Sequence, residues 1–269
     1  MLKFVSFLYE KLLERRVLNS SIPLNHILLV LDETDLLLNE HEQGMEKLRH
    51  FIEWCHRLQI DIITVYIGVI SSDGTDSSLV KNASSSSSSS SRLSRLEEEI
   101  KRVLSNDKTT ASFVIYRHGH SHSPSHSHSP GHSGRTERED TSVPVSVSVS
   151  ASASASPYAN ANDKRIQISL GFGGRSELTK AVKEIVKKVE RGELEPEEID
   201  EKLIESELLF KSEPELVIRS GTTRLMDFFI WQSVYTEFYF TDMNWSKFRK
   251  IDFLRAVKDF KLRERRFGR

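Results

Sequence analysis

The hydrophobic and polar positions of this chain follow two alternating periods, which predict strands and helices in turn. Continuous apolar runs such as residues 26–32 are typical of buried parallel strands, and apolar residues spaced three and four apart are typical of helices. The predicted order is helix 2–16, strand 26–32, helix 40–58, strand 60–66, helix 93–104, strand 112–116, strand 165–170, helix 176–190, a short acidic helix and strand 216–218. This alternation predicts an α/β fold, a single domain with a mostly parallel central sheet flanked by helices.

Two low-complexity stretches interrupt this order. Serine fills residues 84–91, which predicts a flexible linker. Residues 118–163 carry few large apolar side chains and cannot offset the entropy cost of ordering, so we expect a disordered insert rich in His, Ser and Ala. Its Val-Ser and Ala-Ser repeats, residues 143–156, have the period of a strand but too little bulk to hold one. The first part of the domain is therefore residues 1–117, and the second part is residues 164–269.

Composition narrows the possible partners and the compartment. The 269 residues carry a net charge of -1, which gives no general attraction to nucleic acid or to anionic lipid. The single cysteine, Cys55, lies in an apolar helical pattern, which predicts a buried thiol and a reducing, cytoplasmic compartment. No apolar run approaches the roughly 20 residues that span a bilayer, and the first residues lack the layout of a signal peptide. The first helix is expected either to pack against its own domain or to rest on a membrane surface.

Charged residues at two predicted strand ends suggest a diphosphate site. Arg219 and Arg224 flank a glycine turn at Gly221, directly after an apolar run. Arginine holds phosphate oxygens in pairs and keeps its charge. Asp32 ends the first predicted strand, and ligands of parallel sheets bind at the carboxyl ends of strands, so Asp32 and Arg219 are expected at the same edge. Glu237 follows on a later strand and could hold the magnesium that a diphosphate carries.

The same segments resemble the cis-prenyltransferases, the family of undecaprenyl and dehydrodolichyl diphosphate synthases. The family's C-terminal signature runs roughly Arg-Thr-x-Gly-Glu-x-Arg, then Trp-Gln and Tyr-x-Glu-Leu-Tyr-Phe. The residues of this chain that fall on it are Arg219, Gly221, Arg224, Phe228, Trp231, Gln232, Tyr235, Glu237, Tyr239 and Phe240. Gly173-Gly174-Arg175 resembles the family's Tyr-Gly-Gly-Arg turn, and Arg266-Phe267-Gly268 resembles its terminal Arg-x-Gly.

The chain departs from the family at the first phosphate-binding motif. Where the family has Met-Asp-Gly-Asn-x-Arg, this chain has Leu31-Asp32-Glu33-Thr34-Asp35. Asp32 keeps the position of the family's magnesium-linked aspartate, but two new carboxylates stand beside it and would repel a diphosphate unless metal ions intervene. His41 and Gly44 match a family His-x-x-Gly, and the spacing from Arg219 to Arg224 is one residue shorter than in the family.

The resemblance implies a Mg²⁺-dependent condensation of isopentenyl diphosphate with an allylic prenyl diphosphate, giving a cis-polyprenyl diphosphate. It implies Asp32 as the catalytic residue, and Asp32 with Glu237 as the metal ligands. The implied substrate-binding residues are His41, Arg219, Ser220, Gly221, Arg224, Arg266 and Gly268. It also implies a homodimer or a heterodimer with a related subunit, peripheral on the endoplasmic reticulum membrane. Two alternatives stay open: a non-catalytic partner subunit of a heteromeric enzyme, and a repurposed terpenoid enzyme that ionises or cyclises one prenyl diphosphate.

Overall fold

The computed structural model describes residues 2–37, 41–68, 85–105, 112–118, 145–149, 164–221 and 229–263. The strands are β1 His26–Asp32, β2 Ile62–Gly68, β3 Ser112–His118, β4 Val145–Val149, β5 Arg165–Leu170, β6 Leu216–Ser220 and β7 Glu237–Thr241. The α-helices are α1 Leu2–Leu18, α2 Glu33–Leu37, α3 His41–Arg57, α4 Ser85–Ser105, α5 Gly174–Glu190, α6 Glu201–Glu207 and α7 Lys250–Leu262. The strands form one sheet in the order β4-β3-β5-β2-β1-β6-β7.

The sheet is parallel except at one edge, which confirms the predicted α/β fold. β1 pairs in parallel with β2 on one side and with β6 on the other, and β6 pairs in parallel with β7. Among the strands within the described ranges, only β4 runs antiparallel, along β3. Because β1 is central, its Ile27, Leu29 and Leu31 pack on one face of the sheet. Leu28 and Val30 pack on the other face, which explains the continuous apolar run of β1.

Two predictions about the low-complexity stretches were wrong. Val145–Val149 forms β4 and pairs with β3, so these valines do hold a strand when a neighbouring strand supplies the backbone partners. Helix α4 begins at Ser85, so most of the serine run is helical and the helix is longer than the predicted 93–104. The rest of the predicted insert lies largely outside the described residues.

The larger core lies between the sheet and helices α3, α4 and α7. Each helix places an apolar stripe against the same face of the sheet, including Phe51 from α3, Ile100 from α4 and Phe253 from α7. Cys55 of α3 is fully buried here, as predicted, and burial raises the pKa of its thiol well above the ordinary value. These helices cover the face of the sheet that carries Ile27, Leu29 and Leu31 of β1.

Helix α1 packs against α7. Leu13 lies against Ile251 and Leu254, and the carbonyl oxygen of Val17 accepts a hydrogen bond from Lys261 Nζ at 3.0 Å. The predicted packing of this helix against its own domain is therefore confirmed for its second half. In the described ranges, no helix is long and apolar enough to cross a membrane.

Candidate active site

The centre of the site is an ion pair between the ends of two adjacent strands. Val30 of β1 pairs in register with Arg219 of β6, and Asp32 lies two residues further along β1 on the same face. Arg219 Nη2 donates a hydrogen bond to Asp32 Oδ2 at 2.9 Å. The side chains of Arg219 and Asp32 are 3% and 16% exposed. The fold thus brings together two predicted site residues from opposite ends of the chain, at the carboxyl edge of the sheet.

One oxygen of Asp32 has room for a further ligand. Its Oδ1 is buried and accepts no hydrogen bond within the part of the chain that the structure describes. A buried carboxylate oxygen without a donor is energetically costly, and a divalent cation is one group that would satisfy it. Mg²⁺ commonly binds to one or two carboxylates together with substrate phosphates and water. The single open carboxylate oxygen of Asp32 fits that mode of binding.

Glu237 does not join Asp32 within one chain, which corrects the predicted shared metal site. Strands β1, β6 and β7 are parallel, and Leu216 pairs with Ile27 on one side and with Glu237 on the other. Asp32 lies five positions beyond Ile27, so the two carboxylates are separated by roughly 16 Å along the strand direction at about 3.3 Å per residue. Glu237 instead accepts a hydrogen bond from Arg263 Nη1 at 2.8 Å.

The described residues also lack a preformed cluster of metal ligands. No group of three or more His, Cys, Asp or Glu side chains within the described ranges is arranged to hold a metal ion. Any cation at Asp32 would therefore share its coordination with oxygens from outside these residues. A diphosphate offers such oxygens.

The first new carboxylate beside Asp32 has a cation of its own. Glu33 begins α2, and its side chain is 2% exposed. Arg92 Nη1 from α4 donates to Glu33 Oε1 at 2.9 Å. This ion pair connects α4 to the turn that follows β1, and it offsets the negative charge that we expected to repel a diphosphate.

The second new carboxylate, Asp35, is turned back onto the backbone. Its Oδ2 accepts a hydrogen bond from the backbone N–H of Asp32 at 2.9 Å. Burial raises the pKa of the Asp35 carboxyl, the backbone hydrogen bond opposes that rise, and the nearby Asp32 charge adds to it. Asp35 therefore fixes the conformation of the turn around Asp32 instead of presenting a second carboxylate at the site.

A close helix contact supports the same turn. Helix α3 passes so near to α2 that a Cβ at Gly44 would lie 2.7 Å from the carbonyl oxygen of Asp35. Trp245 Nε1 donates to the carbonyl oxygen of Gly44 at 3.1 Å. The His-x-x-Gly match therefore has a steric basis at its glycine. His41 begins α3, but its side chain lies outside the described residues.

Gly44→Ala is expected to lower the free energy of unfolding by about 1–3 kcal/mol, because the new methyl group overlaps a backbone oxygen that cannot rotate away. Urea denaturation followed by circular dichroism would measure the change. Gln43→Ala is the matched control, since Gln43 is exposed in the same helical turn and should change stability by less than about 0.5 kcal/mol. Equal stability of the two variants would contradict the close contact.

Ser220 and Gly221 follow Arg219 at the carboxyl edge. The hydroxyl of Ser220 donates to the carbonyl oxygen of Met243 at 2.7 Å, so it holds the segment after β7 against β6. Gly221 has φ of 81°, a conformation that favours glycine. The other predicted substrate ligands, Arg224, Arg266 and Gly268, lie outside the described residues.

A buried carboxylate connects three further segments that resemble or adjoin the family's motifs. Glu177, in the first turn of α5, accepts hydrogen bonds from the backbone N–H groups of Leu209 and Phe210, both at 2.9 Å. Gln232 Nε2 donates to Glu177 Oε2 at 3.1 Å and to the carbonyl oxygen of Phe210 at 2.7 Å. Glu177 thus connects the Gly-Gly-Arg turn, the approach to β6 and the Trp-Gln pair of the signature.

Glu177 should make stability fall as the pH rises. Burial raises the pKa of Glu177 to about 6, against an ordinary value of 4.5, although three N–H donors oppose the rise. Between these values the unfolded chain has already lost the proton while the folded chain keeps it. The free energy of unfolding of the native protein, measured relative to Glu177→Gln, should therefore fall by about 2 kcal/mol from pH 4.5 to pH 7. A difference that stays constant, or rises, would contradict this assignment.

Comparison with known proteins places these features in a family. The model of the family described as putative undecaprenyl diphosphate synthase matches residues 127–268. A synthase from Methanopyrus kandleri, named tritrans,polycis-undecaprenyl-diphosphate synthase (geranylgeranyl-diphosphate specific), is 31% identical over 100% of this chain and 93% of its own length. The protein of that name from Pyrococcus horikoshii is 33% identical over 97% of this chain and 93% of its own length. The chain belongs to the cis-prenyltransferase family. An isoprenyl transferase from Thermus thermophilus, 31% identical over 98% of this chain and 95% of its own length, agrees with this assignment.

Solved structures show the same fold for this cis-prenyltransferase. Lavandulyl diphosphate synthase from Lavandula x intermedia superposes with a TM-score of 0.60 at 21% identity, covering 91% of this chain and 98% of its own. A probable undecaprenyl diphosphate synthase from Campylobacter jejuni gives a TM-score of 0.58 at 19% identity, covering 92% of this chain and 100% of its own. At these identities the similarity establishes the architecture of this prenyltransferase and nothing finer.

Sequence reasoning missed the roles of Arg92 and Glu177 in this cis-prenyltransferase. Arg92 follows the serine run directly, and nothing in its spacing indicates that it contacts Glu33. Glu177 stands two residues after Arg175 of the Gly-Gly-Arg turn, and only its burial distinguishes it from the charged residues around it. The acidic character of Glu33 was visible in the sequence, whereas the cation that neutralises it was not.

Proposed function

We propose that this cis-prenyltransferase condenses isopentenyl diphosphate with an allylic prenyl diphosphate, in a Mg²⁺-dependent reaction, to give a cis-polyprenyl diphosphate. The observation that carries the proposal is the Asp32–Arg219 pair at the carboxyl edge of the sheet, in a chain that is 31–33% identical over nearly its whole length to named synthases. Because those relatives are named geranylgeranyl-diphosphate specific, geranylgeranyl diphosphate is the proposed allylic substrate.

Asp32 would hold Mg²⁺, using the buried oxygen that lacks a donor among the described residues. When bound, the ion would stabilise the negative charge that develops on the departing diphosphate. The allylic carbon–oxygen bond breaks, and the double bond of isopentenyl diphosphate attacks the resulting allylic carbon. Loss of a proton from the former isopentenyl unit then forms the cis double bond. Orientation and charge stabilisation supply most of the catalysis in this scheme.

Arg219 is the proposed anchor for substrate phosphate oxygens, because a guanidinium can keep one N–H on Asp32 and direct another toward a phosphate. Arg224, Arg266 and Gly268 are proposed to complete the diphosphate site on the strength of the resemblance. On the same resemblance, His41, Ser220 and Gly221 are also proposed to bind substrate. Ser220 would act through its backbone, since its hydroxyl already donates to Met243.

The names of the relatives do not favour the two alternatives. A non-catalytic partner subunit has no need of a buried Asp32–Arg219 pair, because well-packed apolar residues in its place are often equally or more stabilising. A repurposed enzyme with an acid-rich metal cluster is not supported either. Glu33 is paired with Arg92, and Asp35 accepts a hydrogen bond from the backbone N–H of Asp32.

Association with a second chain, like or related, is also proposed. β7 forms one edge of the sheet, and large apolar side chains are exposed beside it: Val234 is 71% exposed, Tyr235 61% and Phe240 39%. An edge strand with exposed apolar side chains favours pairing with another chain. A cytoplasmic location, peripheral on the endoplasmic reticulum membrane, is proposed from the family resemblance.

The test is incubation of the purified protein and Mg²⁺ with radiolabelled isopentenyl diphosphate and, in separate reactions, geranyl, farnesyl or geranylgeranyl diphosphate. Extraction into butanol and separation by chain length would show the products. Labelled polyprenyl products, formed fastest from geranylgeranyl diphosphate, are expected. Release of diphosphate without incorporation of label would favour the repurposed enzyme instead. Activity that appears only after addition of a related subunit would favour the partner role.

A further inference from the structure

Asn244, three residues after β7, lies beside the paired ends of β1 and β6. A Cβ placed at Gly221 would lie 3.6 Å from the Oδ1 atom of Asn244. Val30 of β1 pairs with Arg219 of β6. Two residues further along each strand, Asp32 and Gly221 reach the same level, and adjacent strands are about 4.8 Å apart. Asn244 is therefore a near neighbour of the carboxyl edge at which Asp32 ends its strand.

Both neighbours of Asn244 are held by elements that adjoin this edge. The carbonyl oxygen of Met243 accepts a hydrogen bond at 2.7 Å from the hydroxyl of Ser220, at the end of β6. Trp245 is fully buried, and its Nε1 donates at 3.1 Å to the carbonyl oxygen of Gly44 in α3. Consecutive Cα atoms are about 3.8 Å apart, so these two contacts fix the backbone of Asn244 between them.

The side chain of Asn244 is exposed, and its carboxamide has no hydrogen-bond partner among the residues that the structure describes. Asn244 directly precedes a short 3-10 turn, Trp245–Lys247, a position at which asparagine commonly accepts a hydrogen bond from the following backbone. Its side chain forms no such bond here. The backbone closes the turn instead, since the carbonyl oxygen of Asn244 accepts from Lys247 N at 2.9 Å. The amide NH₂ group therefore remains available to a ligand.

The charges at this edge show what a neutral donor would add. The turn that begins with Asp32 also carries Glu33 and Asp35, and an ionised carboxylate accepts hydrogen bonds but cannot donate them. Arg219 gives one of its N–H groups to Asp32. A carboxamide supplies two N–H donors, and hydrogen bonds to anionic oxygens are roughly twice as strong as those between neutral groups. Asn244 is thus suited to an anionic ligand that Asp32 and Arg219 hold only in part.

We propose that Asn244 is a further substrate-binding residue, whose side-chain N–H group donates to a non-bridging oxygen of the substrate diphosphate at the Asp32–Arg219 edge. This inference rests on the proposed function, which supplies the diphosphate as the ligand. Asp32 ends β1, Arg219 lies near the end of β6, and Asn244 follows β7. These three strands are neighbours in the sheet, so the diphosphate is held by residues from three adjacent strand ends.

The test is calorimetric titration of the full chain with inorganic diphosphate in the presence of Mg²⁺. Asn244→Leu keeps a side chain of similar length and removes both N–H donors. Its dissociation constant for diphosphate should be at least about tenfold higher than that of the native protein, because one hydrogen bond to a charged group is lost. Its melting temperature should stay within about 2 °C of the native value, since the side chain is exposed.

Asn19→Leu is the matched control. Asn19 is exposed directly after α1, two residues beyond Val17, whose carbonyl oxygen accepts from Lys261. The end of α7 that carries Lys261 lies near the amino end of β7, because Arg263 forms an ion pair with Glu237. The same substitution at that edge should leave the dissociation constant for diphosphate unchanged.

The outcomes separate this inference from the proposed function. Equal dissociation constants for Asn244→Leu and the native protein would overturn the role of Asn244 and leave the proposed reaction standing. A lower melting temperature with unchanged binding would make Asn244 a structural residue and overturn its role as well. Native protein that binds no diphosphate would overturn both. Binding that depends on Asn244, in a protein without transferase activity, would support the role of Asn244 and overturn only the proposed reaction.

Discussion

Asp32→Asn is expected to lower turnover about a thousandfold while leaving a folded protein. Asparagine keeps an oxygen that can accept the hydrogen bond from Arg219 Nη2, so the strand ends stay connected. It removes the negative charge that would hold Mg²⁺ and leaves the cation with only neutral oxygens. The loss should appear in kcat in the isopentenyl incorporation assay, at saturating concentrations of both diphosphates.

Asp61→Asn is the matched control for this experiment. Asp61 directly precedes β2 at the amino edge of the sheet, where its backbone carbonyl accepts from Arg165 N at 2.8 Å. The same change of charge at that edge should leave turnover unaltered. If Asp32→Asn kept turnover within tenfold of the native value, Asp32 would have no role in the reaction, and the proposed metal site would have to be placed elsewhere.

The meeting of Asp32 and Arg219 could be predicted because it depends on a general rule. Residues at the carboxyl ends of neighbouring parallel strands share one edge, and both strands were visible as apolar runs. The position of Glu237 could not be predicted in the same way. Its distance along the sheet from Asp32 depends on where β7 begins relative to β6. That register, in which Leu216 pairs with Glu237, is set by tertiary structure and cannot be read from the local sequence.

The two errors in the low-complexity stretches have a common physical origin. Local composition was used to predict the state of residues 85–91 and 145–149, and both adopt regular structure. Intrinsic propensity is a weak guide when a longer helix, or a strand with an open edge, supplies backbone partners. The helical pattern of apolar residues around Cys55 predicted its burial correctly, because an apolar face of a helix packs against other elements of the fold.

The acidic turn after β1 is where sequence and structure differ most for function. The sequence predicts that the Glu33 and Asp35 carboxylates oppose diphosphate binding. In the structure, Glu33 is paired with Arg92, and Asp35 accepts a hydrogen bond from the backbone N–H of Asp32. Glu33 is therefore neutralised by its own cation, whereas Asp35 is held by the backbone and keeps a charge that acts on Asp32. The departure from the family motif therefore changes how the turn is held and leaves Asp32 in place.

Arg219→Gln is expected to cause the largest loss of stability among the variants considered. It leaves the Asp32 carboxylate, 16% exposed, without its cation. Removing one partner of a buried ion pair costs about 3–5 kcal/mol. The melting temperature should fall by about 10 °C, and transferase activity should be lost as well. Arg263→Gln is the matched control, since it breaks a pair with Glu237 in which the side chains are 42% and 25% exposed. That change should cost less than about 1 kcal/mol.

A double-mutant cycle separates the ion pair from other effects of each substitution. If Asp32 and Arg219 stabilise the fold chiefly through each other, the variant Asp32→Asn, Arg219→Gln should be more stable than the sum of the two single losses predicts, by about 1–3 kcal/mol. Glutamine and asparagine can still form a neutral hydrogen bond across β1 and β6, and no charge is left buried. Additive losses, within about 0.5 kcal/mol, would mean that the two side chains act independently. The strand ends would then not hold the carboxylate and the guanidinium as a unit, and the proposed site would lose its physical basis.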